Sequence, residues 1–576
     1  MLELKDLSFA IEKDGEQTDL LRDISLRSPR GHFMAIVGPS GCGKTTLLKT
    51  IADINPESAG SISYDGRNLS EDADLDPQEI GYVPQFSIAY DELSVDESIE
   101  AAARLRIKTH NNNELDELLD QVLAETGLTE IADRPVKVLS GGQKRRLGLA
   151  MELVSSPELL LCDEVTSGLD PRSEREIVTL LHDLSRKDGR IVISVTHSLA
   201  HLELYDSLLV LHEGRVAYHG PPSDVTHYFS VSDTEEIYPA LAQRPSEKWA
   251  SSWNKHRSEY NSKLDLNRST LIEEGNLQTT KQLEEARAAS ANHAPDFFTQ
   301  FATLFSRRWR IFFRDRSQII LQLALILGFP ILVALFSPRA NEQAKKLSNS
   351  MGENAVVELL ERAQVRESQL KVGSANSGLI MFQVVLLCLI GSNNSAREIA
   401  AERHIFEKEK FAGLSPPAYL TSKILFLSIL ILIQSLWMGF FVEFFWQFPG
   451  EFTPHLLFLI LVNAAMTAVC LGISALAKTA EQASLLSIYL VGFQLPLSGA
   501  VLALPEALEP LTRPFISAYW AWSGSVDSLL TNTLAAVKST TETSLSPAPH
   551  CLYLLLAHLI IGLAAALLGL QKPKWN

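Results

Sequence analysis

An α/β domain of the phosphate-loop NTPase type, followed by an all-α polytopic membrane domain of six transmembrane helices, is the fold class this sequence predicts. Three observations carry that reading. Residues 38–45 run Gly-Pro-Ser-Gly-Cys-Gly-Lys-Thr directly after an apolar stretch. Apolar runs of bilayer length occur only in the second half. The charge is also divided: residues 1–296 hold 30 Lys/Arg against 51 Asp/Glu, and residues 297–576 hold 21 against 17. A chain of 576 residues with 46% hydrophobic content is too long for one core and too apolar to stay disordered. An acidic soluble half repels a phosphate backbone, so no nucleic-acid partner is expected.

The first half alternates apolar, β-rich runs with helical patterns, as parallel α/β sheets do. Strands are expected at 32–37, 158–162 and 191–195, and a hairpin over 208–220 turning at Glu213-Gly214. Residues 1–229 form the expected nucleotide domain. The polar stretch 230–295 reads as a linker with some helix. Residues 296–317 place Phe298, Phe301, Phe305, Trp309, Phe312 and Phe313 at three- and four-residue spacing with arginines between them, the pattern of a helix lying in the membrane interface with its arginines reaching headgroups.

Spans of about 20 apolar residues are expected at 318–337, 377–394, 424–446, 455–477, 484–504 and 551–570. Arg307, Arg308, Arg310, Arg314 and Arg316 before the first span, with Lys572 and Lys574 after the last, put both termini in the cytoplasm. The 337–376 loop, expected outside, opposes that orientation with six Lys/Arg. Gln383, Gln434, Asn463 and Gln494 lie within spans and need partners there, helix–helix hydrogen bonds being the commoner use of such residues and substrate contact the rarer. Trp520 and Trp522 read as interfacial anchors. The five cysteines form no CxxC pair, and the first residues carry no signal-peptide pattern. A multi-pass protein of a plasma or bacterial inner membrane, with the lipid bilayer as a partner, is therefore expected.

In the phosphate loop, glycines let backbone N–H groups wrap phosphates at a helix N-terminus. Gly38, Pro39, Ser40, Gly41, Cys42, Gly43, Lys44, Thr45 and Thr46 are the expected ATP-binding residues. Lys44 would reach the β- and γ-phosphates and the Thr45 hydroxyl would ligate Mg2+. The run Leu159-Leu160-Leu161-Cys162-Asp163-Glu164 delivers two carboxylates from a strand end beside that loop. Asp163 would hold Mg2+ and Glu164 would act as general base toward water.

Between these elements stands Leu139-Ser140-Gly141-Gly142-Gln143, which resembles the signature of ABC ATPases. Gln85 matches the family's Q-loop, Ser167-Gly168-Leu169-Asp170 its D-loop, and His197 its switch histidine, all in order over residues 38–197. The resemblance implies an ABC ATPase fold with a helical subdomain, ATP and Mg2+ as cofactors, and catalytic roles for Glu164, His197 and Gln85, with Gln85 also near the metal beside Thr45 and Asp163. It further implies that Ser140, Gly141, Gly142, Gln143 and Asp170 contact ATP bound to a partner subunit. One such domain per chain requires pairing with a second half-transporter. Because the motifs of both half-sites are intact, a homodimer is expected. The usual adenine-stacking position falls on Ile11, with Phe9 expected in the core.

Nucleotide domain first and six spans second resembles the G subfamily of ABC transporters and its bacterial relatives, as do Asp163-Glu164-Val165-Thr166-Ser167-Gly168-Leu169-Asp170 and Gly220-Pro221-Pro222. Val165 stands where the subfamily has proline. Glu402 to Glu409, followed by Ser415-Pro416-Pro417, resembles its cytoplasmic coupling helix, placed here at about 396–413. The implied function is ATP-driven outward transport of a lipid-like or amphipathic compound. The alternative is a mechanical or signalling ATPase acting on an extracytoplasmic partner without moving substrate, and a stoichiometric partner in a pull-down would favour it.

Overall fold

A computed structural model of the chain describes residues 1–13, 16–69, 76–85, 89–108, 111–187, 189–273, 295–347, 355–500, 505 and 507–571. They divide into two compact units, one of Met1–Thr303 with Lys408–Leu414, the other of Leu304–Glu407 with Ser415–Lys574.

The first unit is built on two sheets. Strands β1 (Leu2–Lys13), β2 (Glu16–Ser28), β4 (Ala59–Tyr64) and β5 (Arg67–Asn68) form an antiparallel sheet in the order β2-β1-β4-β5. Strands β3 (Phe33–Val37), β6 (Ile80–Val83), β7 (Leu159–Asp163), β8 (Ile191–Val195), β9 (Ser207–His212) and β10 (Arg215–Gly220) form the second, ordered β10-β9-β3-β8-β7-β6. Its members from β9 to β6 pair in parallel, and β10 closes the edge as an antiparallel hairpin. The hairpin turns at Glu213 and Gly214, both at positive φ. Strands β3, β6, β7 and β8 are buried along their whole length, which is why they read as unbroken apolar runs and not as alternation. Phe9 of β1 packs half-buried against this core.

Helices α1 (Lys44–Ile51), α2 (Val95–Arg106), α3 (Asn112–Thr126), α4 (Gly141–Leu153) and α5 (Pro171–Lys187) complete the domain, with α4 packed on α2 and α3. Capping boxes start α2 at Ser94-Glu97 and α4 at Ser140-Gln143.

The stretch expected to be a polar linker differs in its first part. Short helices α6 (Val225–Phe229) and α7 (Ile237–Ala242) lead into α8 (Ser246–Glu273), whose Trp249, Trp253 and Tyr260 are buried in the core against Tyr218, Tyr228 and Phe229. Three aromatic residues on one face hold an otherwise polar helix, a signal that averaged polarity hides. The rest of that linker, 274–294, lies outside the described residues. Trp253→Ala is expected to destabilise α8 docking by about 3–5 kcal/mol. Hydrogen exchange should show lost protection along α8 with ATP binding retained.

The second unit is helical. Among the described residues five helical stretches are long and apolar enough to cross a membrane, not the expected six: Arg316–Phe336, Gln369–Phe411, Pro416–Trp446, Phe452–Leu476 and Ala548–Gln571. In the second of these, the long helix ends at Ser395 and a separate short helix, Arg403–Phe411, lies within the expected coupling helix. The missing one is the span expected at 484–504. There the helix Ala480–Gln494 has 15 residues, about 22 Å at 1.5 Å per residue, and Pro496 follows at once. Residues 501–504 lie outside the described residues, as do Lys572 and Lys574. The expected 337–376 loop is also different: the flanking helices continue through its described part, as Arg316–Leu347 and Ala355–Ser395. Its Ala, Glu, Lys, Gln and Leu content favours helix.

The helix expected at the interface forms as Phe297–Arg314, but Arg307 and Arg308 are buried and do not reach outward. Arg308 donates to both Glu398 oxygens at 2.6 and 2.9 Å, and Lys423 joins Glu398 and Glu402 at 2.9 and 2.6 Å. Trp522 is not an interfacial anchor either: it is fully buried and its indole N–H donates to Ser377 at 3.2 Å. Trp520 is half-buried and donates to the Arg513 carbonyl. The polar residues within the spans bind one another. Gln434 donates to Gln322 at 2.8 Å and accepts from Asn394 at 2.8 Å, while Asn463 donates to Ser435 at 3.1 Å. Gln494 accepts from the Ala518 amide, whereas the buried Gln383 Oε1 has no partner among the described residues.

Candidate functional site

The carboxyl ends of β3, β6, β7 and β8 lie side by side, and each delivers one motif. Gly38 follows β3, Gln85 lies two residues past β6, Asp163 ends β7 with Glu164 next, and His197 lies two residues past β8. The parallel register sets Asp163 opposite Val195, so the acidic pair and the histidine loop are neighbours. This is where open α/β sheets place their ligands.

The loop from Gly38 to Gly43 depends on glycine at both ends. Gly38 has φ 154°, and a Cβ there would lie 2.3 Å from the Leu211 carbonyl oxygen. Gly43, the N-cap of α1, has φ 105° with Leu20 and Leu21 against it. Lys44 is buried, and its Nζ donates to the Gly38 and Pro39 carbonyls at 2.9 and 3.0 Å. Those bonds curl the loop around the ammonium group that phosphate oxygens would engage. Burial holds the Cys42 thiol up, so it stays protonated in the loop.

Glu164 is held from two sides. Gln85 Nε2 donates to its Oε2 at 2.6 Å, and His197 Nε2 lies 2.6 Å from its Oε1. Its backbone takes φ 48°, the left-handed region, a conformation that disfavours a non-glycine residue by roughly 1 kcal/mol. Gln85, Glu164 and His197 thus converge at one strand end.

Thr45 Oγ1 donates to Asp163 Oδ1 at 2.9 Å, and Tyr82 OH donates to Oδ2 at 3.3 Å. Burial pushes the Asp163 carboxyl above its ordinary range, and the adjacent Glu164 charge adds to that. A hydroxyl beside a carboxylate whose charged form is disfavoured fits a hard divalent cation, which would restore the charged form. Thr45 and Asp163 would hold Mg2+. Gln85 commits its amide nitrogen to Glu164, which leaves its carbonyl oxygen as the atom able to join them.

Ser140 caps α4: its Oγ accepts from the Gln143 amide at 3.3 Å, and Gln143 Oε1 accepts from the Ser140 amide at 3.0 Å. Ser140 and Gly141 are exposed at this helix N-terminus, and Val138 beside them is 63% exposed. An exposed N-terminus with an apolar neighbour is suited to an anion and to a second protein surface. Asp170 caps α5, accepting from the Ser173 hydroxyl at 2.6 Å and from the Ser173 and Arg172 amides. Those hydrogen bonds hold its carboxyl below the ordinary range.

Three further residues join the site without having been read from the sequence. Tyr82 lies on β6 three positions before Gln85. Arg145 follows the signature; burial lowers its pKa and the Glu164 charge opposes that. Tyr238 of α7 donates to the His197 carbonyl at 3.3 Å. Position on β6 and next to the signature could have flagged the first two. No local signal marks Tyr238, which sits in the stretch expected to be linker.

The far end of α4 carries a second constellation in the same unit. Glu152 accepts from Arg106 through both oxygens, at 2.7 and 2.8 Å, and lies 3.0 Å from Lys408. All three side chains are buried. Burial opposes ionisation of Glu152, but the Arg106 and Lys408 charges outweigh it and hold its carboxyl below the ordinary range.

A family model described as ABC transporter matches residues 21–167, and one described as ABC-2 type transporter matches residues 299–520. The ABC transporter ATP-binding/permease protein Rv1747 of Mycobacterium tuberculosis is 29% identical over 511 residues, 87% of this chain and 54% of its own length. The chain thus spans about half the length of that relative. The methionine import ATP-binding protein MetN of Pasteurella multocida is 30% identical over 271 residues, 44% of this chain and 78% of its own length. A solved dimeric structure of the ATP-binding cassette MJ0796, bound to ADP and Pi, matches 38% of this chain at 26% identity with a TM-score of 0.36.

Proposed function

The chain belongs to the ABC transporter family, and from that premise we propose that it is an ATP-driven exporter that works as a homodimer and moves a lipid-like or amphipathic compound outward. It is a multi-pass membrane protein, with an ATPase domain ahead of an ABC-2 type membrane domain. The observation that carries the reading is Glu164 held between Gln85 and His197, with Asp163 paired to Thr45 one residue away. A base, its orienting groups and a metal pair within one residue of each other suit phosphoryl transfer, which needs positioning and charge stabilisation above all.

In this account Gly38–Thr46, Lys44 among them, would bind the phosphates, and Thr45, Asp163 and Gln85 would hold Mg2+, which when bound would supply charge stabilisation to the phosphates. Glu164 orients and polarises the attacking water, and His197 keeps Glu164 in place and reaches the γ-phosphate. Ser140 to Gln143, with Asp170, would complete the site on the partner's nucleotide. The lack of an aromatic residue at Ile11 leaves adenine without a stacking partner there.

Helix α4 suggests the coupling route. Its N-terminus carries Ser140 and Gly141, and its last turn carries Glu152, ion-paired to Lys408 from the expected coupling helix. Motion of the signature when ATP closes the dimer would pull on Lys408 and, through the chain, on the spans. The nucleotide domain and both termini would face the cytoplasm.

Direction and substrate are tested with inverted vesicles carrying the protein and a panel of fluorescent amphipaths and lipid analogues. ATP-dependent uptake into the lumen, absent with Lys44→Ala, is the expected result. Intact ATP hydrolysis with no uptake of any panel member, together with a stoichiometric extracytoplasmic protein in a pull-down, would replace export with a mechanical role.

A further inference from the structure

Tyr82 stands in β6, three residues before Gln85, and is buried. Its hydroxyl donates to Asp163 Oδ2 at 3.3 Å, while Thr45 holds Oδ1 at 2.9 Å. A hydrogen bond on each oxygen fixes the plane of the carboxylate, a terminal torsion that is otherwise broad. Burial and the Asp163 charge hold the phenol protonated, so its hydroxyl remains a donor. The parallel register pairs Tyr82 with Leu161, two residues before Asp163, so ring and carboxylate are carried by adjacent buried strands. A second contact of Tyr82 is apolar: its ring meets Phe411 edge-on, with centroids 6.3 Å apart and planes at 72°.

Phe411 belongs to residues 408–414, which are part of the ATPase unit. Lys408 seats this segment on Glu152 at 3.0 Å, and the Gly413 carbonyl accepts from Gln300 at 3.1 Å. Glu152 and Gln300 also bond α2, through Arg106 and the Leu105 carbonyl. Tyr82, under Phe411, bonds instead a residue of the expected metal pair.

We propose that Tyr82 is a positioning residue of the ATPase cycle, its hydroxyl setting the Asp163 carboxylate for Mg2+ and its ring tying that carboxylate to Phe411. Occupancy of the metal site is thereby felt at residues 408–414, by a route through β6 that is separate from α4. Tyr82 takes this role on the reading that Asp163 holds Mg2+.

The test uses the full chain in nanodiscs with a non-hydrolysable ATP analogue. Mn2+ is titrated and its protein-bound form read by electron paramagnetic resonance. Hydrogen exchange over 408–414 is compared with and without saturating metal. In the parent, metal should change that exchange. Tyr82→Phe should weaken Mn2+ about three- to tenfold, as for one ordinary hydrogen bond, with affinity for the metal-free analogue unchanged. It should also abolish the metal-dependent change at 408–414. Tyr82→Leu should weaken Mn2+ to the same extent, because neither variant carries the hydroxyl. A packing role alone predicts another order, with Phe silent and Leu impaired. Parent-like Mn2+ affinity in Tyr82→Phe would overturn the positioning role, and exchange at 408–414 that ignores the metal in the parent would overturn the link through Phe411. Asp163→Ala separates the proposal from its premise. Parent-like Mn2+ affinity there would show that Asp163 does not hold the metal, and both would fall. Loss of Mn2+ there with none in Tyr82→Phe would sink the role of Tyr82 alone.

Discussion

ATP turnover by Glu164→Gln is expected to fall at least a hundredfold, with ATP affinity within a few-fold of the parent. General-base assistance contributes roughly 10²–10⁴ in rate, and an amide of the same shape cannot accept the water's proton. The geometry makes the substitution clean. Gln85 and His197 each contact one Glu164 oxygen at 2.6 Å, and a glutamine can keep both contacts by turning its amide. Lys44 and Gly38–Gly43, which would hold the nucleotide, lie on a different strand end. Single-turnover hydrolysis beside equilibrium ATP binding checks this. Residual turnover above a tenth of the parent would move the base to another residue.

Glu152→Ala is the second large effect, and it acts on stability. Removing the carboxylate leaves Arg106 and Lys408 buried without a counter-charge, which costs about 3–5 kcal/mol. The melting temperature of the ATPase unit should drop by roughly 6 °C or more. Replacing Glu152, Arg106 and Lys408 together by methionine is expected to recover most of that loss, because apolar residues do not need the charges. ATP hydrolysis by the triple variant should then no longer respond to transported compounds, if α4 is the coupling route. The pH dependence follows from the sign of the shift. The Glu152 carboxyl is held below its ordinary 4.5, so its stabilisation is complete above that value and is lost as pH falls through the lower folded value. Acid unfolding monitored from pH 6 downward should therefore be less steep in the triple variant.

What could be read in advance was whatever the chain writes locally. Gly38 to Thr46 is one contiguous loop, and the buried strands β3, β7 and β8 are runs of five apolar residues, so motif and strand were visible together. That Gln85, Glu164 and His197 act together is what the resemblance to ABC ATPases implies; their 2.6 Å contacts become visible only in the structure. Tyr238 could not be foreseen, because its partner His197 is 41 residues away and joins through a backbone carbonyl. Trp249 and Trp253 were masked by the polar residues around them on α8, and their ring partners lie on other elements. Of the span expected at 484–504, the described part is a helix ending at Gln494 with Pro496 after it, and 501–504 lie outside the described residues. Trp522 was read by its position near a membrane edge, whereas its burial against Ser377 depends on how the helices pack. Arg308 likewise had a charged partner, Glu398, 90 residues along the chain.

The most direct test of the central claim, that two copies of this chain build complete ATP sites, is steady-state hydrolysis by the purified chain alone in lipid nanodiscs. ATP binding is confirmed first. The expected result is Mg-dependent turnover with two chains per disc, abolished when Ser140 is replaced by arginine to block the half-site offered to the partner. ATP binding without turnover, in discs that hold two copies of the chain, would contradict the account and require a different half-transporter to complete the sites.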